Sequence, residues 1–597
     1  MEGKMTELSE LEAALRANGV QVSDGAVQRL LDRRKWIYHS ERVDDLLQRL
    51  DQEQLYSLFN YRHHLRSAAQ LFQFLASMRK KVSVVYGHKA QGKTQFLFFL
   101  FRLLQAMGER VLFLDRTIMP LEEDGSVDIS DEKFCGHLWS DDFSPIGGEV
   151  KKCLESFFAD ALPATFGRFL AALRKHTRRP GDRIWIVIDE VVLFEKFLIR
   201  LPEEQDLGPF NWIVTGSAGI GSWVGKRHLE KRVFDLPLFT KEECLGFANN
   251  LCSALGTNLV TGMDGVPLEG MDDWLEERFG GVVGYIAEMF LEVSKGSLVS
   301  QYILVLGGRM NRIIRNSSTK NQISNKQLAE DWLNEIKSDC NYWECLRDAG
   351  LCGSFPPRGV IFTLILERLY SYFPNENEML SLVTRFRLKF SGDPGLDGSL
   401  MKLEETLKFK ANNSIEASLL TRTQQGWEVK ESIDLPPKGI PLIFAVYEES
   451  SFRLDVAAQH STSSSWYLIQ VPIGFDVIDV VLVDVSSSPA IYGIQVSRSV
   501  KPFAKHHTLE TCPSRSKTRL DKLWDVISKH FKLNEPLRTF FVMLAPNCGR
   551  AEFSKPTREH RSDYYFAPAG IIAAYPEPSR KRRSHSEAAR LPPSKKC

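Results

Sequence analysis

The chain has 597 residues, 76 Lys and Arg against 75 Asp and Glu, 43% apolar and 25% charged residues. That composition belongs to ordinary folded proteins and excludes disordered, collagenous and membrane-spanning classes, while a net charge of +1 excludes a protein that coats DNA through a uniform basic field. The length calls for about three to five folding units.

Residues 1–80 carry helix-period patterns such as LEAALRA, VDDLLQRL and LFQFLASM and are predicted as a helical N-terminal region. The opening MEGKMTELSELEAALRANG is polar, and no secretion signal is read there. From 81 to 236 short β-rich runs (VSVVYG, RVLFLDR, RIWIVIDE, NWIVTGS, RVFDLPL) alternate with helical patterns, which predicts a parallel sheet wound by helices. Residues 237–350 are helical again, a lid on that core, with the polar RNSSTKNQISNKQ at 315–327 expected as a loop.

Residues 351–575 read as a second α/β unit. Helical stretches lead into the strands PLIFAVYE, SWYLIQV, FDVIDVVLVDV and AIYGIQVSRS, then the helix KTRLDKLWDVISKHF and the strand RTFFVMLAP. Residues 576–597, rich in Pro, Ser and Arg, are expected as a disordered tail. Nothing approaches about 18 apolar residues without a charge, so no membrane partner is expected. The ten cysteines form no C-x-x-C pair and read as reduced thiols, and the gaps among Cys340, Cys345 and Cys352 fit no zinc knuckle.

Gly87-His88-Lys89-Ala90-Gln91-Gly92-Lys93-Thr94 fits G-x-x-x-x-G-K-[ST], directly after a strand and opening a helix. Gly87 and Gly92 let the backbone curl so that successive N–H groups face a phosphate, and the helix N-terminus adds positive dipole. Lys93 would reach the β- and γ-phosphates of ATP and Thr94 would put its hydroxyl on Mg²⁺. Downstream, Asp189 and Glu190 end an apolar strand, the first to hold Mg²⁺ through water and the second to polarise the attacking water. Thr215 and Ser217, ending the next strand, would lie beside the γ-phosphate. Arg227 and Arg232 are candidates for an arginine finger acting on a neighbouring subunit, or else part of a solvated basic helix.

In the C-terminal unit Asp479 begins one apolar strand, and Gln495 and Ser497 share one face of the next. The restriction-endonuclease-like fold uses this layout, an Asp on one strand and (D/E/Q)-x-K on its neighbour, to gather a divalent metal and a proton-transfer group around a scissile phosphate. Ser497 stands where that motif has Lys, so Lys501, Lys505, His506 or His507 would have to supply the missing group. A second reading is an HNH-like nuclease built from His506, His507, His530 and Asn534.

The P-loop unit with its lid resembles AAA+/STAND-type ATPases. Together with GFDVIDVVLV, YGIQVSRSV and AKHH, it resembles the Crinkler effectors of oomycetes and chytrids and the retrotransposon hot spot proteins of trypanosomes. The resemblance spans about residues 30–545 and implies an ATPase joined to a nuclease-like domain, secretion, and action in a host nucleus. The L-F-L-A-K-like translocation motif usual at the start of Crinklers is missing here.

Arg498, Lys501, Lys505, Arg515, Lys517, Arg519, Lys522, Lys529 and Lys532 outnumber Glu510, Asp521 and Asp525 between 498 and 533, a density suited to DNA phosphates. Arg580, Lys581, Arg582 and Arg583, then Lys595 and Lys596, read as a bipartite signal for a nuclear import receptor. The motifs thus suggest an ATP- and Mg²⁺-using protein that acts on DNA, the resemblance implies that it is an effector, and assembly into a homo-oligomer, frequent among related ATPases, is left open by the sequence. Also open are a DNA-binding regulator with a decayed nuclease site and a STAND-like switch that binds protein.

Overall fold

In the computed structural model the residues described are 2–22, 27, 61–77, 82–114, 184–191, 210–216, 232–256, 271–338 except 296 and 298, 344–351, 359–372, 376–389, 400, 403, 404, 407, 415–423, 426–435, 440–448, 451–456, 464–496 except 474, 476 and 477, 514–533, 538–544 and 564–567. Two sheets organise them.

The first sheet comprises β1 (Val82–Tyr86), β2 (Arg110–Leu114), β3 (Ile184–Ile188), β4 (Phe210–Thr215) and β5 (Val233–Asp235), in the order β2-β3-β4-β1-β5, all parallel. β1, β3 and β4 are buried at every position, as a parallel sheet covered on both faces demands; β3 is an unbroken apolar run, while β1 buries Ser83 and β4 buries Asn211 and Thr215 among apolar neighbours. Parallel pairing brings every strand's C-terminal end to one edge. The phosphate loop after β1, Asp189 and Glu190 after β3, and Thr215 closing β4 therefore meet there.

α3 (Lys93–Ala106) follows the loop and is apolar almost all round, because the sheet packs on one side and α2 (Tyr61–Ala76) on another. His64 of α2 lies among Phe96 and Phe99 of α3, and Phe72 meets Trp185 of β3 edge-on. α1 (Glu2–Ala17) packs on α2, so both described N-terminal helices belong to the ATPase core.

After β5 come α4 (Lys241–Leu255), α5 (Met271–Phe279), α6 (Val283–Ser294), α7 (Val299–Asn321), α8 (Asn325–Lys337) and the short α9 (Glu344–Asp348). α4 begins with a capping box, Thr240 accepting from the Glu243 amide while Glu243 accepts from that of Thr240. The expected loop at 315–327 is corrected here: α7 continues to Asn321 and α8 starts at Asn325. Ile314 and Ser318 are buried, the Ser318 and Thr319 hydroxyls donate back to the Arg315 carbonyl, and Ser324 caps α8. Packing of one face thus overrides the polar composition.

α10 (Gly359–Tyr372) and α11 (Glu376–Lys389) lead to the second sheet. Its strands are β6 (Ile415–Thr423), β7 (Gly426–Leu435), β8 (Leu442–Glu448), β9 (Ser451–Val456), β10 (Trp466–Gln470), β11 (Val480–Asp484), β12 (Ala490–Val496), β13 (Arg538–Leu544) and β14 (Tyr564–Ala567), in the order β7-β6-β14-β13-β12-β11-β10-β8-β9. β10, β11 and β12 form an antiparallel meander, and α12 (Ser514–Phe531) connects β12 to the parallel β13. This is the expected order of strands, helix and strand; the β6–β7 hairpin and β14 were not anticipated.

Period two assigns the faces. Ile443, Ala445, Ile469, Val481, Val483 and Ile491 share a core with Leu520, Leu523 and Ile527 of α12. Their alternating neighbours, Leu442, Phe444, Leu468, Leu482 and Tyr492, join the core that contains α10. The sheet is therefore covered on both faces. Leu523, fully buried, should cost about 2–5 kcal/mol as Leu523→Ala. The exposed Asp521→Ala should stay within about 0.5 kcal/mol of the parent in the same denaturant titration.

Candidate nucleotide site and the second strand-end site

The phosphate loop is curled by two left-handed residues, Ala90 at φ 65° and Gly92 at φ 87°. Gly92 precedes the first turn of α3 with no side-chain hydrogen bond capping it, and a helix start of that kind presents backbone N–H groups and positive dipole to an anion. Inside the curl the Lys93 ammonium donates to the carbonyls of Gly87 at 3.1 Å and His88 at 2.7 Å. Burial lowers its pKa from 10.5 to about 8, against the opposing pull of Glu190 and Asp189.

The Thr94 hydroxyl donates to Asp189 Oδ2 at 2.7 Å, bridging two non-adjacent strand ends across β4. A hydroxyl and a nearly buried carboxylate placed together are the hard-oxygen donors that Mg²⁺ prefers, so these residues fit that ion. Glu190 follows at φ 51°, a left-handed backbone unusual outside glycine and costing of the order of 1–3 kcal/mol. It is half-buried, where a base can meet both the site and water. Among the described residues no three His, Cys, Asp or Glu gather as a metal cluster, and no helix is long and apolar enough to cross a membrane.

Other candidates fall less directly into place. Thr215 is fully buried and its hydroxyl donates to the Val85 carbonyl at 2.7 Å, tying the end of β4 to β1. Arg232 lies immediately before β5, whereas Ser217 and Arg227 are outside the described residues.

Two contributions were missed by sequence reasoning. Gln91 is buried; its Oε1 accepts from the His88 amide at 2.6 Å and its Nε2 donates to the carbonyls of Leu236 at 2.6 Å and Pro237 at 3.0 Å, pinning the loop to the segment after β5. Gly284 donates its amide to the Ala90 carbonyl at 2.8 Å, and a Cβ there would sit 2.3 Å from that oxygen, so only glycine lets α6 approach so closely. FGGVVGY lies well inside the stretch expected as the lid, and nothing in it signals contact with the phosphate loop.

In the second sheet Asp479 is half-buried just before β11, donating its amide to the Ile494 carbonyl at 2.8 Å. Val480 pairs with Ile494, so extending the register by one step sets position 495 of β12 across from Asp479. Position 495 also pairs with Met543 of β13. The backbone thus brings the two predicted positions to one strand end. Ser497, Arg498, Lys501, Lys505, His506, His507 and Asn534 lie outside the described residues, as do Arg580 to Arg583, Lys595 and Lys596.

Arg515, Lys517 and Arg519 fall in the first part of α12, and Lys522, Lys529, His530 and, just beyond the helix, Lys532 are exposed, as are Asp521 and Asp525. Of the cysteines, Cys345 is exposed on α9, and Cys340 and Cys352 are outside the described residues.

No protein-family model matches the chain, and no curated protein matches it. Among solved structures it is similar to a Walker-type ATPase of Pyrococcus abyssi, at 15% identity over 59% of this chain and 93% of that one with a TM-score of 0.31. It is also similar to Cdc6p of Pyrobaculum aerophilum, at 14% identity over 58% and 98% with a TM-score of 0.23. The Orc1 protein of Aeropyrum pernix, solved in complex with DNA, is similar at 12% identity over 54% and 85% with a TM-score of 0.25. The P-loop ATPase fold itself stands on this chain's own strand order, loop and paired acids.

Because the folded-state pKa of Lys93 lies below its ordinary value, the unfolded chain holds more protons between about pH 8 and 10.5. Stability of the nucleotide-free protein should therefore rise with pH across that window, by about 3 kcal/mol if the whole shift, (10.5 − 8) × about 1.36 kcal/mol, is expressed. Lys93→Met should lack the rise in denaturant midpoints measured over the same pH range. A phosphate beside the ammonium favours its charged form, so nucleotide affinity should fall as pH climbs past about 8.

Proposed function

We propose that this chain is an Mg²⁺-dependent ATPase whose nucleotide cycle governs a DNA-directed C-terminal unit. The observation that carries the ATPase reading is the meeting of Thr94 with Asp189 at 2.7 Å, with Lys93 buried in the curled loop beside them. Lys93 would offset the charge that develops on the β- and γ-phosphates, and the loop amides would orient them. Bound Mg²⁺ would neutralise charge on the same oxygens. Glu190, one residue beyond Asp189, would take the proton of the attacking water.

The C-terminal unit is proposed to be nuclease-like, with Asp479 and Gln495 at one strand end. The support is the register that sets position 495 against Asp479, and the basic stretch from Arg498 to Lys532, which suits a phosphate backbone. Ser497 remains the departure from the (D/E/Q)-x-K pattern. The resemblance to Crinkler effectors and the basic tail at 580–596 extend the proposal to an effector acting in a nucleus through an import receptor.

Purified protein should hydrolyse ATP in Mg²⁺, and Lys93→Ala or Glu190→Ala should each lower turnover by about two orders of magnitude or more; full turnover in both would overturn the site. Metal-dependent nicking of plasmid DNA should vanish with Asp479→Ala. Salt-sensitive DNA binding without nicking in Mg²⁺ or Mn²⁺ would instead favour a DNA-binding regulator with a decayed site.

A further inference from the structure

We infer that α9 and the turn closing it, residues 344–351, form a strap that reads occupancy of the phosphate loop and passes it through α10 to the strand ends around Asp479, with Arg347 as its positioning residue. The inference rests on the nucleotide reading above and specifies how the two units communicate.

The strap touches the loop twice. Arg347 is only 3% exposed, and its guanidinium lies 4.9 Å from the ring centroid of Tyr86, the last residue of β1 before the loop. The amide of Lys89, inside the loop, donates to the Gly350 carbonyl at 3.0 Å. Loop amides are the groups that gather around a phosphate, and an anionic oxygen is a stronger acceptor than a peptide carbonyl. Nucleotide and strap therefore compete for the curl of the same backbone. A ligand shifts a structure only through such a differential contact.

The strap's other attachments lead to the second sheet. Glu335 of α8 accepts from the amides of Cys345 at 2.9 Å and Leu346 at 3.3 Å, holding the start of α9. α8 packs on α10, which is buried from Gly359 to Tyr370. Tyr370 meets Phe444 of β8 edge-on at 5.4 Å, and Glu367 accepts from the Ile473 amide at 3.5 Å, in the turn between β10 and Asp479. The Val471 amide in that turn donates to the carbonyl of Asp479 itself at 3.2 Å.

This last joint is built to change partners. Glu367 and Thr363 are fully buried and Gln470 nearly so, yet among the described residues Glu367 Oε1, Thr363 Oγ1 and Gln470 Oε1 have no hydrogen-bond partner, the Glu367 oxygen facing only the Arg368 guanidinium at 3.9 Å. A buried polar cluster that is only partly satisfied can exchange one arrangement for another without breaking a complete set of bonds.

Hydrogen exchange of the full chain, followed by mass spectrometry in Mg²⁺ with and without ATP in a Glu190→Gln background, tests the strap. ATP should slow exchange at 87–95, speed it about threefold or more at 344–351, and change it at 359–372 and 471–482. Arg347→Ala should erase the changes at 359–372 and 471–482 while the slowing at 87–95 remains, and Arg347→Lys should restore part of them. Tyr86→Leu, which removes the ring face but keeps an apolar residue, should reproduce the Arg347→Ala loss. Slowing at 87–95 with unchanged exchange at 344–351, or distal changes that persist in both variants, would overturn the strap. No slowing at 87–95 would overturn the nucleotide reading and the strap with it.

Discussion

A cation held inside a ring of backbone groups sets the geometry of the nucleotide edge. Lys93 is buried and bonded to the carbonyls of Gly87 and His88, so the loop keeps its curl with its own side chain at the centre. Burial disfavours that charge, and Asp189 and Glu190 are the groups that oppose the penalty. Both follow the end of β3, and the parallel sheet brings that end to the same edge as the loop and Thr215. The curl is braced from outside as well, by Gln91 on the segment after β5 and by Gly284 at the start of α6. A phosphate entering this loop meets a curl already fixed by folding, but it must draw Lys93 from the Gly87 and His88 carbonyls and the Lys89 amide from Gly350.

The second sheet works by a different constraint. Its central strands alternate strictly between a face covered by α12 and a face that joins the core containing α10. A slip of one residue between β11 and β12 would exchange two differently packed faces, so the register that opposes position 495 to Asp479 is held by the fit of Val481, Val483 and Ile491 in the core shared with α12 and of Leu482 and Tyr492 in the other. Apolar packing thereby fixes where two polar positions meet.

What was legible in the sequence was local. The phosphate loop announces itself because a strand, a glycine-bearing turn and Lys-Thr occur within a few residues, and Asp189 and Glu190 because acids abruptly end an apolar run. The strands β8 and β10 to β13 and the helix α12 were readable for the same reason. The contacts of the Gln91 side chain with the carbonyls of residues 236 and 237, and of the Gly284 and Lys89 amides with the carbonyls of Ala90 and Gly350, all end on backbone carbonyls of distant segments, and backbone groups leave no composition signal. α7 was misread between 315 and 321 because Asn, Ser and Thr usually signal turns, while here one buried face and hydroxyls bonded back to Arg315 keep the helix going. The β6–β7 hairpin carries mixed polar and apolar residues around Gln425-Gly426, a signal too weak to stand out beside the neighbouring apolar strands.

α10 has one further consequence. It packs on α5 and α8 of the lid, yet its Tyr370 and Glu367 reach Phe444 and Ile473 of the second sheet. Such a helix belongs equally to both halves, so no cut near residue 350 separates two complete cores: a C-terminal piece would bare the lid-facing side of α10, and an N-terminal piece would lack the wall it closes. The two units should melt cooperatively rather than in sequence, and any exchange of one C-terminal unit for another in a related chain would have to carry α10 with it or rebuild both of its faces.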